Sequence, residues 1–325
     1  MHALVFDQQL VLRDVVPPEP YAGEAVIRPH VVGICATDLE IMRGYKNFHG
    51  VLGHEWVGTV VACADPQWIG QRVVGEINVP CRQCPTCWRG DIIHCPNRTA
   101  MGIKGRDGAI AELFTLPVAN LHAVPADVSD RAAVFAEPLA AALAITDETH
   151  VRPTDRVAVV GDGKLGLLVA QVLRLTGCKL TVVGRHPERW TVLERQRIEA
   201  TDDAATLEAR SFDIVVDCSG HPHGLRTARA LVRPRGALVL KSTFAGDAPL
   251  DLSSIVVDEV RLVGSRCGPF AAALRLLDAG LIETEPLISV VYSFAQAVEA
   301  FDAARGKLKV LIEVTNSSQV SKLAS

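Results

Sequence analysis

The chain holds 325 residues, 49% of them apolar, which exceeds what one hydrophobic core usually serves, so two domains are expected. Its 33 basic against 37 acidic residues give a formal net charge of −4, which excludes the broad basic field of a nucleic-acid binder. No uninterrupted apolar run reaches the roughly 18 residues of a bilayer span, and MHALVFDQQL is no basic-then-apolar leader, so a cytoplasmic protein without membrane or nucleic-acid partners is expected.

In chain order, residues 1–80 read as short β-patterned runs such as 25–28 (AVIR) and 57–61 (VGTVV). Pro, Gly and Asp clusters break them, which predicts a compact β-barrel-like domain. Two polar motifs interrupt the runs, Gly33-Ile-Cys35-Ala-Thr37-Asp38 and Leu52-Gly53-His54-Glu55. Next come Cys81, Cys84, Cys87 and Cys95, four thiols at spacings of three, three and eight in a loop rich in Arg and Pro. Such a loop has no core in which to hide four thiols, and a disulfide framework belongs to small secreted domains. The spacing predicts a lobe, residues 80–96, wrapped around one tetrahedral Zn²⁺. Four soft thiolates close the metal's shell, so this ion folds a loop and does no chemistry.

From Ser129 the texture changes. A helix is expected over 132–145, which contains Phe135-Ala-Glu137-Pro138, then a strand over 156–161 and a helix over 164–177. Strands follow at 179–184, 212–220 and 236–242. Strand, helix, strand repetition predicts an α/β architecture with a doubly wound parallel sheet. A helix over 271–281 and a β-run over 308–314 are expected to return to the first domain, ahead of a polar, loose tail at 315–325.

The turn Gly161-Asp162-Gly163-Lys164-Leu165-Gly166 follows a strand directly and opens a helix. In that context GxGxxG predicts a dinucleotide site: the first Gly makes the turn, the second lets backbone approach a pyrophosphate, and the third lets helix and strand pack closely. A NAD-type site places Asp or Glu at the end of the next strand, about 20 residues on. Here residues 167–187 contain no carboxylate, and the strand ends in Gly184-Arg185-His186, with Arg189 close behind. A small residue leaves room for a 2′-phosphate and Arg is its natural bidentate partner, so NADP(H) is expected over NAD(H). Asp162 is a carboxylate inside a phosphate turn, where repulsion is expected unless it points away; Lys164 offers an offsetting charge.

Cys35, His54 with Glu55, and Glu137 together supply a thiolate, an imidazole and carboxylates, the mixed set expected where protein ligands leave one metal position open. With the four-Cys lobe and the Gly-rich turn, these motifs give the chain its resemblance to the zinc-dependent medium-chain alcohol dehydrogenases, of the polyol and threonine dehydrogenase branch. The resemblance implies a GroES-like β-barrel catalytic domain at 1–127 and 264–325, plus a Rossmann doubly wound parallel sheet at 128–263. It also implies a homodimer or homotetramer acting on a secondary alcohol, polyol or sugar with NADP(H), and two Zn²⁺ per chain. Cys35 and His54 would bind the catalytic ion, with Glu55 and Glu137 both open as the third ligand. Thr37 resembles the hydroxyl that accepts the substrate proton, and Asp38 the carboxylate that orients the zinc-binding imidazole. Where members of the family carry His at the outer end of the proton relay, this chain has Glu40, a possible carboxylate outlet. Substrate lining is expected from Tyr45, Trp56, Met101, Ile103 and Ser265-Arg266-Cys267. A non-catalytic NADPH-binding sensor on the same fold is the alternative.

Overall fold

A computed structural model describes residues 1–242 and 250–314; the tail expected to be loose lies outside them. The chain divides into two compact units, Met1–Glu137 with Leu274–Ser325, and Pro138–Ala273. The breaks fall later than 127 and 263, inside the helices Ala136–Glu148 and Phe270–Asp278. Among the described residues no helix is long and apolar enough to cross a membrane.

The first unit is built on a seven-stranded sheet whose central member is the long strand Glu24–Ile34. Ala, Val and Ile dominate this strand, nearly all of it is buried, and β-branched side chains suit a pleated surface covered on both faces. It pairs antiparallel with Glu55–Cys63 on one side and with Lys309–Glu313 on the other. Pro29 has no N–H to give the ladder, and the register slips between Pro29 and Val31. The core of the unit gathers Leu4, Ile27, Ile34, Leu52, Trp56, Met101, Ile110 and Phe301, with Trp56 edge-on to Phe114 at 4.7 Å between centroids. Trp56 and Met101, expected to line a substrate pocket, are thus core residues, 2% and 0% exposed.

The second unit is a six-stranded sheet in the order Glu199–Thr201, Lys179–Val183, Arg156–Val160, Phe212–Asp217, Val232–Leu240, Arg261–Gly264, parallel throughout. In chain order that is 3-2-1-4-5-6, the doubly wound arrangement whose strand order reverses beside Arg156–Val160. Each parallel pair needs a crossover, and the amphipathic helices Lys164–Arg174 and Pro222–Leu231 supply two of them. The expected helix at 132–145 breaks into Asp130–Ala133 and Ala136–Glu148, with Pro138 in the first turn of the second piece, where its missing N–H costs no hydrogen bond.

Candidate active site and metal centres

The four cysteines of the lobe come together. Cys84 caps the short helix Pro85–Trp88, which carries Cys87, and the single turn Ile92–His94 delivers Cys95. Sulfur–sulfur distances are 3.6 Å for Cys84–Cys87, 3.8 Å for Cys84–Cys95 and 3.5 Å for Cys81–Cys95. No pair is bonded as a disulfide. A tetrahedron of thiolates at Zn–S of about 2.3 Å has edges of about 3.8 Å, so the donor set fits zinc in size as well as in softness. The Cys81 thiol is held down to about 6, first by the Gln83 backbone and with help from its sulfur neighbours, while burial and those neighbours push Cys87 up to about 11. A cation between the four sulfurs would favour the thiolate form of all of them.

A second group forms where the central sheet ends. In the pairing of Glu24–Ile34 with Glu55–Cys63, Gly33 stands opposite Glu55. Cys35 leaves one strand and His54 enters the other at the same edge of the ladder. Cys35 then caps the helix Ala36–Ile41, in which Asp38, fully buried, accepts the Cys35 N–H at 2.8 Å through Oδ2. Its other oxygen lies 3.2 Å from His54 Nδ1, so one carboxylate fixes both residues and leaves the imidazole's Nε2 as the atom open to a metal. Ligand atoms of Cys35, His54 and Glu55 all lie within 4.8 Å of one another. Glu137 stands outside this trio. Burial works to lower the His54 pKa, but the Asp38 charge and hydrogen bond, with Cys35, hold it well above 6.5. The donors fit a divalent metal with one position open, and zinc suits the thiolate and imidazole.

Sequence reasoning missed Lys309. Its side chain is fully buried, its Nζ pairs with Glu55 Oε2, and the same ammonium lies 5.6 Å from the Phe135 ring centroid. Burial alone would depress this lysine; the charges of Glu55, Cys35 and Glu137 raise it instead. Gly33 makes the pair possible, since a Cβ there would fall 2.9 Å from Glu55 Oε2 and 3.2 Å from Lys309 Cδ. The signal in the sequence was a Lys inside an apolar strand, where lysines are almost never fully buried unless paired.

The remaining first-unit residues fall in two classes. Thr37 Oγ1 is 3.7 Å from Cys35 Sγ, beside the trio. Glu40 instead accepts from Arg43 at 2.6 Å on a partly exposed helix face, and no described contact joins it to Thr37.

In the second unit Gly161 has φ +114° and ends the strand Arg156–Val160. A Cβ on Gly166 would sit 1.9 Å from the Gly161 carbonyl oxygen, so only glycine permits this closeness of helix and strand. At Gly163, which caps the helix Lys164–Arg174, a Cβ would meet nothing within 4 Å, so backbone is left open to a ligand at the helix N-terminus. These features fit a dinucleotide's pyrophosphate. Asp162 turns away from that opening: Oδ2 accepts the backbone N–H of Arg185 at 3.0 Å and of His186 at 2.7 Å and the Trp190 indole N–H at 3.0 Å. The repulsion expected of it is thereby avoided. Arg185 is exposed. Arg266 belongs to the second unit, where its carbonyl accepts from Lys241 Nζ at 2.7 Å.

Residues 21–126 match the alcohol dehydrogenase GroES-like domain and residues 165–279 the zinc-binding dehydrogenase family. An erythritol/L-threitol dehydrogenase of Mycolicibacterium smegmatis is 28% identical, over 93% of each chain. An L-galactonate-5-dehydrogenase of Escherichia coli is 30% identical, over 93% of this chain and 94% of its own. Among solved structures, a Sinorhizobium meliloti protein described as a zinc-binding dehydrogenase, with NADP bound, superposes with a TM-score of 0.88 at 27% identity, covering 96% of this chain and 99% of the other. An Escherichia coli alcohol dehydrogenase complexed with NADH superposes with a TM-score of 0.85 at 26% identity, covering 97% and 99%. With both halves matched and a relative 30% identical over 93% of the chain, the chain belongs to the zinc-dependent medium-chain alcohol and polyol dehydrogenases.

Proposed function

We propose that the protein transfers a hydride between the carbinol carbon of a polyol, sugar-type or secondary alcohol and NADP(H), giving the ketone or aldehyde. The observation that carries this reading is the meeting of Cys35, His54 and Glu55 within 4.8 Å, in a chain whose other unit holds an open dinucleotide turn. Two zinc ions per chain belong to it. One would be held by Cys81, Cys84, Cys87 and Cys95; the other by Cys35 and His54 with a carboxylate, Glu55 by proximity and Glu137 as the alternative. When bound, the catalytic zinc lowers the pKa of the substrate hydroxyl and the nicotinamide takes up the hydride.

The chain's own groups do the rest. Asp38 holds the imidazole's orientation, and the Thr37 hydroxyl would pass on the proton released by the substrate. Lys309 offsets the negative charge gathered by Cys35, Glu55 and Glu137. Preference for NADP(H) is supported by Gly184, by exposed Arg185, by the lack of a carboxylate across 167–187, and by the NADP in the Sinorhizobium relative. The named relatives, acting on erythritol, threitol and galactonate, favour a polyhydroxylated substrate. A homodimer is proposed through the edge strand Arg261–Gly264, which in the chain follows the helix Leu252–Val257 with its Leu252, Val256 and Val257 65%, 74% and 81% exposed; light scattering that gives a monomer refutes it.

Metal analysis with an assay of polyols and secondary alcohols, using NADP⁺ and NAD⁺ before and after chelation, tests the whole. Two zincs per chain and chelator-sensitive reduction, with higher kcat/KM for NADP⁺, are expected. Cofactor binding without turnover of any alcohol would overturn it.

A further inference from the structure

We propose that Asp162 sets the choice of cofactor from inside the phosphate turn, by occupying the space at position 184 and by holding the Arg185–His186 loop through its amides. The inference rests on the NADP reading above. Gly184 directly follows the strand Lys179–Val183, the place where a NAD-type site carries its ribose-binding Asp or Glu. A Cβ on Gly184 would lie 2.3 Å from Asp162 Oδ2, 2.4 Å from its Cγ and 2.6 Å from its Cβ. No side chain fits there while Asp162 is present, and least of all a carboxylate against a carboxylate. The absence of an acidic reader at 184 is therefore enforced by residue 162.

Asp162 does not replace that reader. A carboxylate offers about four acceptor sites, and this one faces four donors: the Arg185 and His186 amides, the Trp190 indole, and His186 Nδ1 at 3.2 Å from Oδ1. It is only 5% exposed, and although burial works to raise its pKa, the His186 and Trp190 bonds outweigh that and keep it ionised. Three of these fall on Oδ2 and one on Oδ1, so most of the carboxylate's capacity is spent inside the protein. What the carboxylate does is fix the backbone from which the exposed Arg185 projects and the ring of His186, so that the loop meets a 2′-phosphate already ordered. Asp162 is a positioning residue that acts through Arg185 and His186.

Calorimetric titration of the full-length protein with 2′,5′-ADP and with 5′-ADP reads this directly. Asp162→Ala should lose about tenfold in affinity for 2′,5′-ADP, one charge-assisted contact's worth, with 5′-ADP affinity within about twofold. Equal losses for both ligands, or tighter 2′,5′-ADP binding, overturn the positioning role. Wild-type protein that binds the two alike overturns the NADP reading instead. The steric half has its own readout without any nucleotide: Gly184→Ala should lower Tm by about 4 °C or more in the wild-type background and have little effect in the Asp162→Ala background. Equal shifts in both backgrounds refute the coupling. Asp162→Ala with Gly184→Asp should then bind NADH more tightly than NADPH, and an unreversed preference also refutes it.

Discussion

The four-cysteine lobe draws all its donors from residues 81–95, whereas the trio of Cys35, His54 and Glu55 is joined by Asp38 and by Lys309 from the other end of the chain. The lobe is uniform, closed and local. Its loop needs only a metal to hold its shape, and its donors leave no place for substrate. The trio mixes sulfur, nitrogen and oxygen donors and sits at the edge of a sheet ladder, where two strands must pair before Cys35 meets His54 and Glu55, and a third must join before Glu55 meets Lys309. Its charges are compensated by buried protein groups, Asp38 beside His54 and Lys309 beside Glu55. A structural metal can be specified by a short motif; a working one takes a fold.

The contrast is sharpest in activity. His54→Ala should lower kcat/KM by roughly three orders of magnitude while one zinc per chain remains in the lobe, read by metal analysis beside kinetics. Loss of both metals would show that the two centres are not independent. Lys309→Met should cost about 3–5 kcal/mol in urea unfolding, because Glu55 is left buried without its partner. Adding Glu55→Gln should recover much of that loss, and a Lys309→Met protein as stable as wild type would contradict the buried pair. No such coupling to the C-terminal strand is expected for the lobe.

Smaller effects separate the centres further. Asp38→Asn keeps the shape but weakens the hold on His54, so metal affinity at the trio should drop by about 10–100-fold, with lobe occupancy unchanged. The pH dependence should also differ. In metal-free protein the His54 pKa lies above 6.5, so this group's stabilisation is complete below pH 6.5 and fades as pH rises through the raised value. Zinc takes the neutral imidazole and must displace that proton, so in protein whose lobe is already filled, further zinc should raise Tm more at pH 8 than at pH 6. A stabilisation independent of pH would place the metal elsewhere.

Much of this was legible in the sequence. The lobe, the Gly-rich turn and the alternation of strand and helix each announce themselves over short spans, because local spacing there is the geometry. Cys35, His54 and Glu55 could be singled out, yet that they converge follows from strand register, with Gly33 opposite Glu55. Lys309 lay hidden because its partner is a matter of pairing between distant strands. Trp56 and Met101 were expected to line a pocket, but an apolar side chain carries no mark that tells core from lining. Asp162 was read as a charge in conflict with phosphate; its partners at 185, 186 and 190 lie in a loop whose approach only the folded sheet decides.

The strand that carries Lys309 is the last described one, and this orders the protein's birth on the ribosome. Residues 138–273 form a contiguous unit, free to fold as soon as they emerge. The sheet around Glu55 emerges earlier but stays a carboxylate short of its counter-ion until Lys309–Glu313 slots in beside Glu24–Ile34. The sheet made before the second unit is thus completed after it.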